Sequence, residues 1–217
     1  MSTTDPAGTT GTKRLLFVIS EREGGITPEW RNRYLEAEAQ ISSLTDAHVE
    51  SRHYWAIEAP DADALVLSGS GEPWALHAPA ALERFYDVLR SYDGPVLGIC
   101  AGMQTLVRAA GGSIGPAGQS THGFARVGIV DDSDLFAGCS PSIEVFQDHS
   151  YEVTDVPSGM RVLATSATCS VEAIAAGDRP WWGTQFHPEA WDREHPDGQA
   201  IIESFLRIAD LTASDHR

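Results

Sequence analysis

The apolar residues of this chain alternate between short blocks and helical stripes. Arg14 to Ile19 is a compact apolar run and reads as a buried strand. Thr27-Pro28 then predicts a helix start, with Thr27 as cap and proline at the first helical position. Trp30, Tyr34, Ala37, Ile41 and Leu44 recur at helical spacing and define one inward face. His48 to Trp55 is a candidate second strand, and Ala64 to Leu67 a third that runs into Ser68-Gly69-Ser70-Gly71. Leu82, Phe85, Tyr86 and Leu89 predict a helix over 79–91, Pro95 to Ile99 a fourth strand, and Ala101 to Ala110 a helix stopped by Gly111-Gly112. The first half therefore reads β-α-β-β-α-β-α. Short apolar strands alternating with helices indicate an α/β protein with a mainly parallel sheet covered on both faces.

The second half has a different texture. Phe124–Val130, Ile143–Phe146, Arg161–Ala164, Val171–Ala175 and Trp182–Phe186 are short strand candidates with turns between them. They are expected as antiparallel additions at the sheet edge. Asp197 is expected to cap a last helix that turns Ile201, Phe205 and Ile208 inward. The small polar residues 1–12 are expected to form a flexible tail, 13–211 a single domain, and 212–217 a C-terminal tail.

Charge narrows the range of partners. Lys and Arg number 15 against 31 Asp and Glu, a formal charge of −16. A chain this acidic, with no basic cluster, repels phosphate backbones, so nucleic acid and anionic membrane are not expected. No run reaches the roughly 18 apolar residues of a membrane span, and the start lacks a secretory apolar core. The three cysteines, Cys100, Cys139 and Cys169, form no CxxC pair and suggest neither a disulfide framework nor a zinc site. A reducing, cytoplasmic setting is expected.

One cysteine stands in a special context. Gly98-Ile99-Cys100-Ala101-Gly102 has the G-x-nucleophile-x-G form of a strand-to-helix elbow. Such a turn strains the central residue, and side chains in place of its glycines would collide. The following helix aims its first amides at the sulfur and favours an anion there. A buried cysteine at a tight join is the alternative for this motif, and it is the expected role of Cys139 and Cys169. Gln185-Phe186-His187-Pro188-Glu189 offers His187 as a base for a thiol, with Glu189 able to accept from its other ring nitrogen. A surface His-Pro turn would look the same. His48, His53, His77, His195 and His216 are expected at the surface. Ser68 to Gly71 lacks both the Walker and the dinucleotide spacing, so it is either a ligand-approaching backbone loop or a simple turn. Trp181 and Trp182 are expected in the core rather than in a pocket.

Taken together, the Gly-rich loop, the cysteine elbow and His-Pro-Glu, in this order, resemble the class I glutamine amidotransferases over about residues 14–208. Within them the second half is most similar to the amidotransferase portion of GMP synthetase, through Val130 to Phe136 and Trp182 to Glu189. The resemblance implies a flavodoxin-like fold and hydrolysis of L-glutamine through a cysteinyl thioester, with no cofactor or metal. It implies Cys100 as nucleophile, His187 as base and Glu189 as its orienter. It implies Gly69 and Ala101 as oxyanion donors, and Gly71, Gln104, Asp148, Ser150 and Tyr151 as substrate-binding residues. Two motifs depart from the GMP synthetase pattern: Ser68-Gly69-Ser70-Gly71 replaces Ser-Gly-Gly-Pro, and Asp148-His149-Ser150-Tyr151 replaces Ser-His-Gly-Asp. With no nucleotide-binding loop in the chain, ammonia is expected to pass to a separate ATP-using synthetase. A free-standing γ-glutamyl hydrolase with the same triad is the alternative, and a non-enzymatic scaffold a third reading.

Overall fold

The computed structural model describes residues 12–213. The expected tails fall outside that span except for residues 12, 212 and 213, and His216 lies outside it as well. β1 (Arg14–Ile19) is followed by α1 (Pro28–Ser42), β2 (His48–His53), β3 (Ala64–Leu67), α2 (Pro79–Ser91), β4 (Val96–Ile99) and α3 (Ala101–Ala109). Then come β5 (Ser113–Ile129), β6 (Ser142–Asp155), β7 (Met160–Thr165), β8 (Ala173–Ala176), β9 (Trp181–Thr184) and α4 (Asp197–Ile208). All nine strands share one sheet in the order β2-β1-β3-β4-β9-β8-β7-β5-β6.

Five neighbouring strands, β2-β1-β3-β4-β9, run parallel, and each pairing from β9 to β6 is antiparallel. The parallel strands bury both faces. Leu15 and Phe17 of β1 join Val66, Leu97 and the apolar sides of α1 and α4; Leu16 and Val18 join Leu65, Leu67 and the apolar sides of α2 and α3. This two-sided burial is why these segments read as unbroken apolar runs. Thr27 Oγ1 accepts from the Trp30 amide to start α1, and Gly111, at φ +90°, ends α3 while the Gly112 amide returns to the Val107 carbonyl.

Four expectations change. Trp181–Thr184 is not an edge addition. It lies in the middle of the sheet, parallel to β4, with Gly98 opposite Gly183. Trp181 and Trp182 are buried on opposite faces, as core residues. The buried stripe of α4 runs through Ile201, Ile202, Phe205 and Leu206, a face rotated from the expected one that leaves Ile208 36% exposed. Asp197 does not cap α4; its carboxylate accepts from the Glu144 amide at 2.7 Å and ties the helix start to β6. His77 is buried rather than superficial, because the turn at Trp74–Leu76 folds it onto Tyr54, whose hydroxyl lies 3.1 Å from its Nδ1. Among the described residues no helix is long and apolar enough to cross a membrane.

Candidate active site

Three adjacent parallel strands end at one rim and deliver the candidate residues there. β4 ends at Ile99, and Cys100 forms the joint to α3 with φ 52° and ψ −107°. That left-handed geometry is costly for a side-chain-bearing residue and persists only where packing enforces it. The enforcement is visible on both sides. A Cβ on Gly98 would lie 2.5 Å from the Gly102 carbonyl carbon, and one on Gly102 would lie 2.4 Å from the Leu67 carbonyl oxygen. Both glycines are therefore required by backbone-to-backbone approach. The Cys100 amide donates to the Thr184 carbonyl of β9 at 2.7 Å, which fixes the elbow to the strand that leads to His187.

Beyond β9 the chain turns, and the His187 amide donates to the Phe146 carbonyl at 2.8 Å. The ring's Nδ1 lies 2.8 Å from Glu189 Oε1. Burial works against charge on this imidazole. The Glu189 carboxylate and then the Cys100 sulfur outweigh it, so its pKa rises well above the ordinary histidine value. Nε2 is buried without a fully formed hydrogen bond. Catalytic bonds of this kind commonly close only around substrate. From β3, Gly69 stands between the two groups: a Cβ there would lie 2.7 Å from His187 Cε1 and 3.5 Å from Cys100 Cβ.

Two cavities flank this line. One, of about 280 Å³, is lined by Cys100, Ala101, Gln104, Gly71, Trp74 and the Asp148 to Tyr151 segment of β6. The other, of about 260 Å³, is lined by Gly69, His187, Glu189, Tyr34, Phe146 and again Asp148, with Trp30 bordering both. The expected site residues thus fall around one centre, with differences in role. The Asp148 carboxylate is engaged outward, with Arg33 at 3.1 Å and His122 at 3.3 Å, and its backbone carbonyl accepts weakly from the Cys100 thiol at 3.9 Å. Gln104 lines the cavity, but its amide is committed to protein groups: Oε1 accepts from Trp74 Nε1 at 2.8 Å, and Nε2 donates to the Tyr151 carbonyl and to Gln185 Oε1. The loop after β3 is held from behind by the fully buried Glu21, whose carboxylate accepts from the Gly71 amide, Ser70 Oγ and Tyr34 Oη.

Sequence reasoning gave no role to Trp30, Trp74 or Gln185. Trp30 reads as core on helical spacing and does pack there, yet it walls both cavities. Gln185, a fully buried polar residue inside an apolar strand end, carried the one available signal. Cys169 is unlike Cys100: burial, then the Glu172 charge, pushes its thiol up to about 12. With His149 and Glu172 it brings ligand-type atoms within 4.8 Å of one another, but Glu172 already accepts from Gln147 Nε2 at both oxygens and Cys169 Sγ contacts the Val171 carbonyl.

Residues 31–209 match the family model "Glutamine amidotransferase class-I". The chain is 32% identical over 180 residues to the glutamine-hydrolyzing GMP synthase subunit of Thermococcus kodakarensis, covering 82% of this chain and 90% of that protein. It is 37% identical over 153 residues to the corresponding GMP synthase subunit of Natronomonas pharaonis, covering 70% and 78%. A crystal structure provisionally assigned as a GMP synthase subunit from Thermoplasma acidophilum superposes with a TM-score of 0.72 at 25% identity, over 90% of this chain and 94% of that one.

Proposed function

The chain belongs to the class-I glutamine amidotransferase family, and from that premise we propose that Cys100, His187 and Glu189 carry out its hydrolysis of glutamine. The observation that carries this reading is the strained elbow. Cys100 holds φ 52° at the start of α3, at the edge of a cavity, with the charged form of a buried His187 favoured beside it. A tight join built only for packing needs no such pair.

The sulfur attacks the side-chain carboxamide carbon of glutamine. The resulting oxyanion lies against the Gly69 and Ala101 amides, each such donor stabilising the transition state by roughly 2.7–4 kcal/mol. His187 passes its proton to the departing ammonia, and Glu189 holds the ring in position through Nδ1. Water, deprotonated by the neutral imidazole, then attacks the γ-glutamyl thioester and releases glutamate and free thiol. Gly71 and the Asp148, Ser150 and Tyr151 segment of β6 bind the amino-acid end of the substrate in the larger cavity. Gln104 completes that wall.

The ammonia passes to a separate ATP-using synthetase, and by its likeness to the GMP synthase relatives the pair makes GMP. The three unpaired cysteines fit the cytosol, where we place the chain. In a glutaminase assay Cys100→Ala abolishes ammonia release, whereas Cys139→Ala and Cys169→Ala retain it. Full activity in the Cys100 variant would remove the mechanism. Adding the synthetase partner and its nucleotide substrates is expected to raise the glutaminase rate. A rate indifferent to them, with fast turnover of other γ-glutamyl amides, would favour a free-standing hydrolase.

A further inference from the structure

Gln185 follows the last residue of β9, is fully buried, and takes no part in the triad. Its Nε2 lies 3.6 Å from Cys100 Sγ, and its Oε1 accepts from Gln104 Nε2 at 3.0 Å. Gln104 Oε1 in turn accepts from Trp74 Nε1 at 2.8 Å. Amide oxygens and nitrogens are normally interchangeable in such chains, but here both orientations are forced. An indole N–H can only donate, so the end of Gln104 that meets Trp74 must be its oxygen. The Tyr151 carbonyl can only accept, and at 2.9 Å it also requires the nitrogen of Gln104 on the opposite side. That nitrogen can meet only the oxygen of Gln185. The amide nitrogen of Gln185 is thereby turned to the sulfur, which must act as acceptor.

We infer that Trp74, Gln104 and Gln185 form a directional hydrogen-bond relay that holds an N–H on the Cys100 sulfur, with Gln185 acting on the reacting atom and Trp74 and Gln104 as positioning residues. This rests on Cys100 being the nucleophile. It changes the assignment of Gln104, whose two donors to the Tyr151 carbonyl and Gln185 leave none for substrate. It also gives the cavity wall a means of acting on the nucleophile. Trp74 is half-buried in the wall of the larger cavity, and the Tyr151 carbonyl holds Gln104 from the other side. An anionic sulfur gains more from an N–H donor than a neutral thiol does, so the relay favours the reactive form. The titratable groups around the sulfur and its cavity are His187 beyond β9, Tyr34 on α1, Glu72 in the loop after β3, and His122, Asp148, His149 and Tyr151 on the ribbon. None of them is altered by changing the relay.

The test is the pH dependence of iodoacetamide labelling in the absence of glutamine, followed on the Cys100 peptide by mass spectrometry. Gln185→Leu is expected to move the midpoint of the profile to higher pH and to slow labelling at pH 7 about tenfold, the factor of one pH unit. Gln104→Leu is expected to move it the same way by less, about threefold, and Trp74→Phe by less again, because the Tyr151 carbonyl still orients Gln104. Neither should add to Gln185→Leu in a double variant, because both act through it. A Gln185→Leu profile identical to that of the parent overturns the inference. So does a Gln104→Leu profile that is unmoved while the KM for glutamine rises, the pattern of a plain substrate contact. If Gln185→Leu fails to fold by circular dichroism, Gln185→Met, which keeps the unbranched shape and removes the N–H, decides: a moved profile supports the relay and an unmoved one overturns it. Absent glutaminase activity in the parent would count against the proposed function, whereas unmoved profiles beside normal activity count against the relay alone.

Discussion

The parallel and antiparallel halves of the sheet divide the labour of the site. The parallel half contributes through strand ends. Cys100, Gly69 and His187 follow β4, β3 and β9, which are adjacent in the sheet, and the interior of each strand is wholly buried. The antiparallel ribbon of β5 and β6 contributes from the middle of a long, half-exposed strand, and what Asp148 brings to the centre is its backbone carbonyl rather than its carboxylate. The groups to which the proposed mechanism assigns the chemistry follow strands anchored in the doubly covered core. The ribbon supplies part of the cavity wall, which α1, α3 and the loop after β3 complete. Rigid support for reacting atoms and tolerance around the ligand are thus placed on different architectures.

Substitutions can break this contrast, and the parallel rim should respond most. His187→Ala is expected to lower the glutaminase rate by about 10³–10⁴-fold, measured as kcat, because it removes the group that moves both protons. Gly98→Ala drives a methyl into the backbone of α3 and is expected to cost about 3 kcal/mol in denaturant unfolding. A variant as stable as the parent would show that the elbow is not held by that approach. Glu189→Gln should be milder than His187→Ala, at about 10²-fold in kcat, since the base remains. It also removes the carboxylate that raises His187. The imidazolium is then lost at lower pH, so the alkaline limb of the rate profile moves down in pH; an upward move would contradict the assigned pairing. The ribbon should respond least. Asp148→Asn breaks the exposed pairs with Arg33 and His122 and is expected to raise KM no more than about threefold, with kcat unchanged. A larger effect on kcat there would erase the division of labour.

Local chemistry was readable along the chain. The elbow at Cys100, the Thr27 cap, the Gly111 stop and the His187–Glu189 pair each depend on residues within a few positions of one another. The α2 stripe through Leu82, Phe85 and Leu89 was readable for the same reason. Non-local placement was not. Trp181–Thr184 looks like its antiparallel neighbours in composition, and only its pairing with β4 puts it at the centre. Periodicity put Ile208 inward on α4, and packing in the core chose the face through Ile202 and Leu206 that leaves it on the flank. His77 looked superficial because the turn that buries it brings Tyr54 in from 23 residues away.

The α/β class, the strained cysteine and the residue types around it follow from neighbouring residues, because backbone propensity, sterics and acid–base character act over a few positions of the chain. Tertiary structure alone decided which partners those residues meet. Gln185 and Cys100 are 85 positions apart, and Trp74 and Gln104 are 30 apart. The orientation of each amide is set by whichever donor or acceptor the fold places against it, and that choice exists only once the strands have aligned.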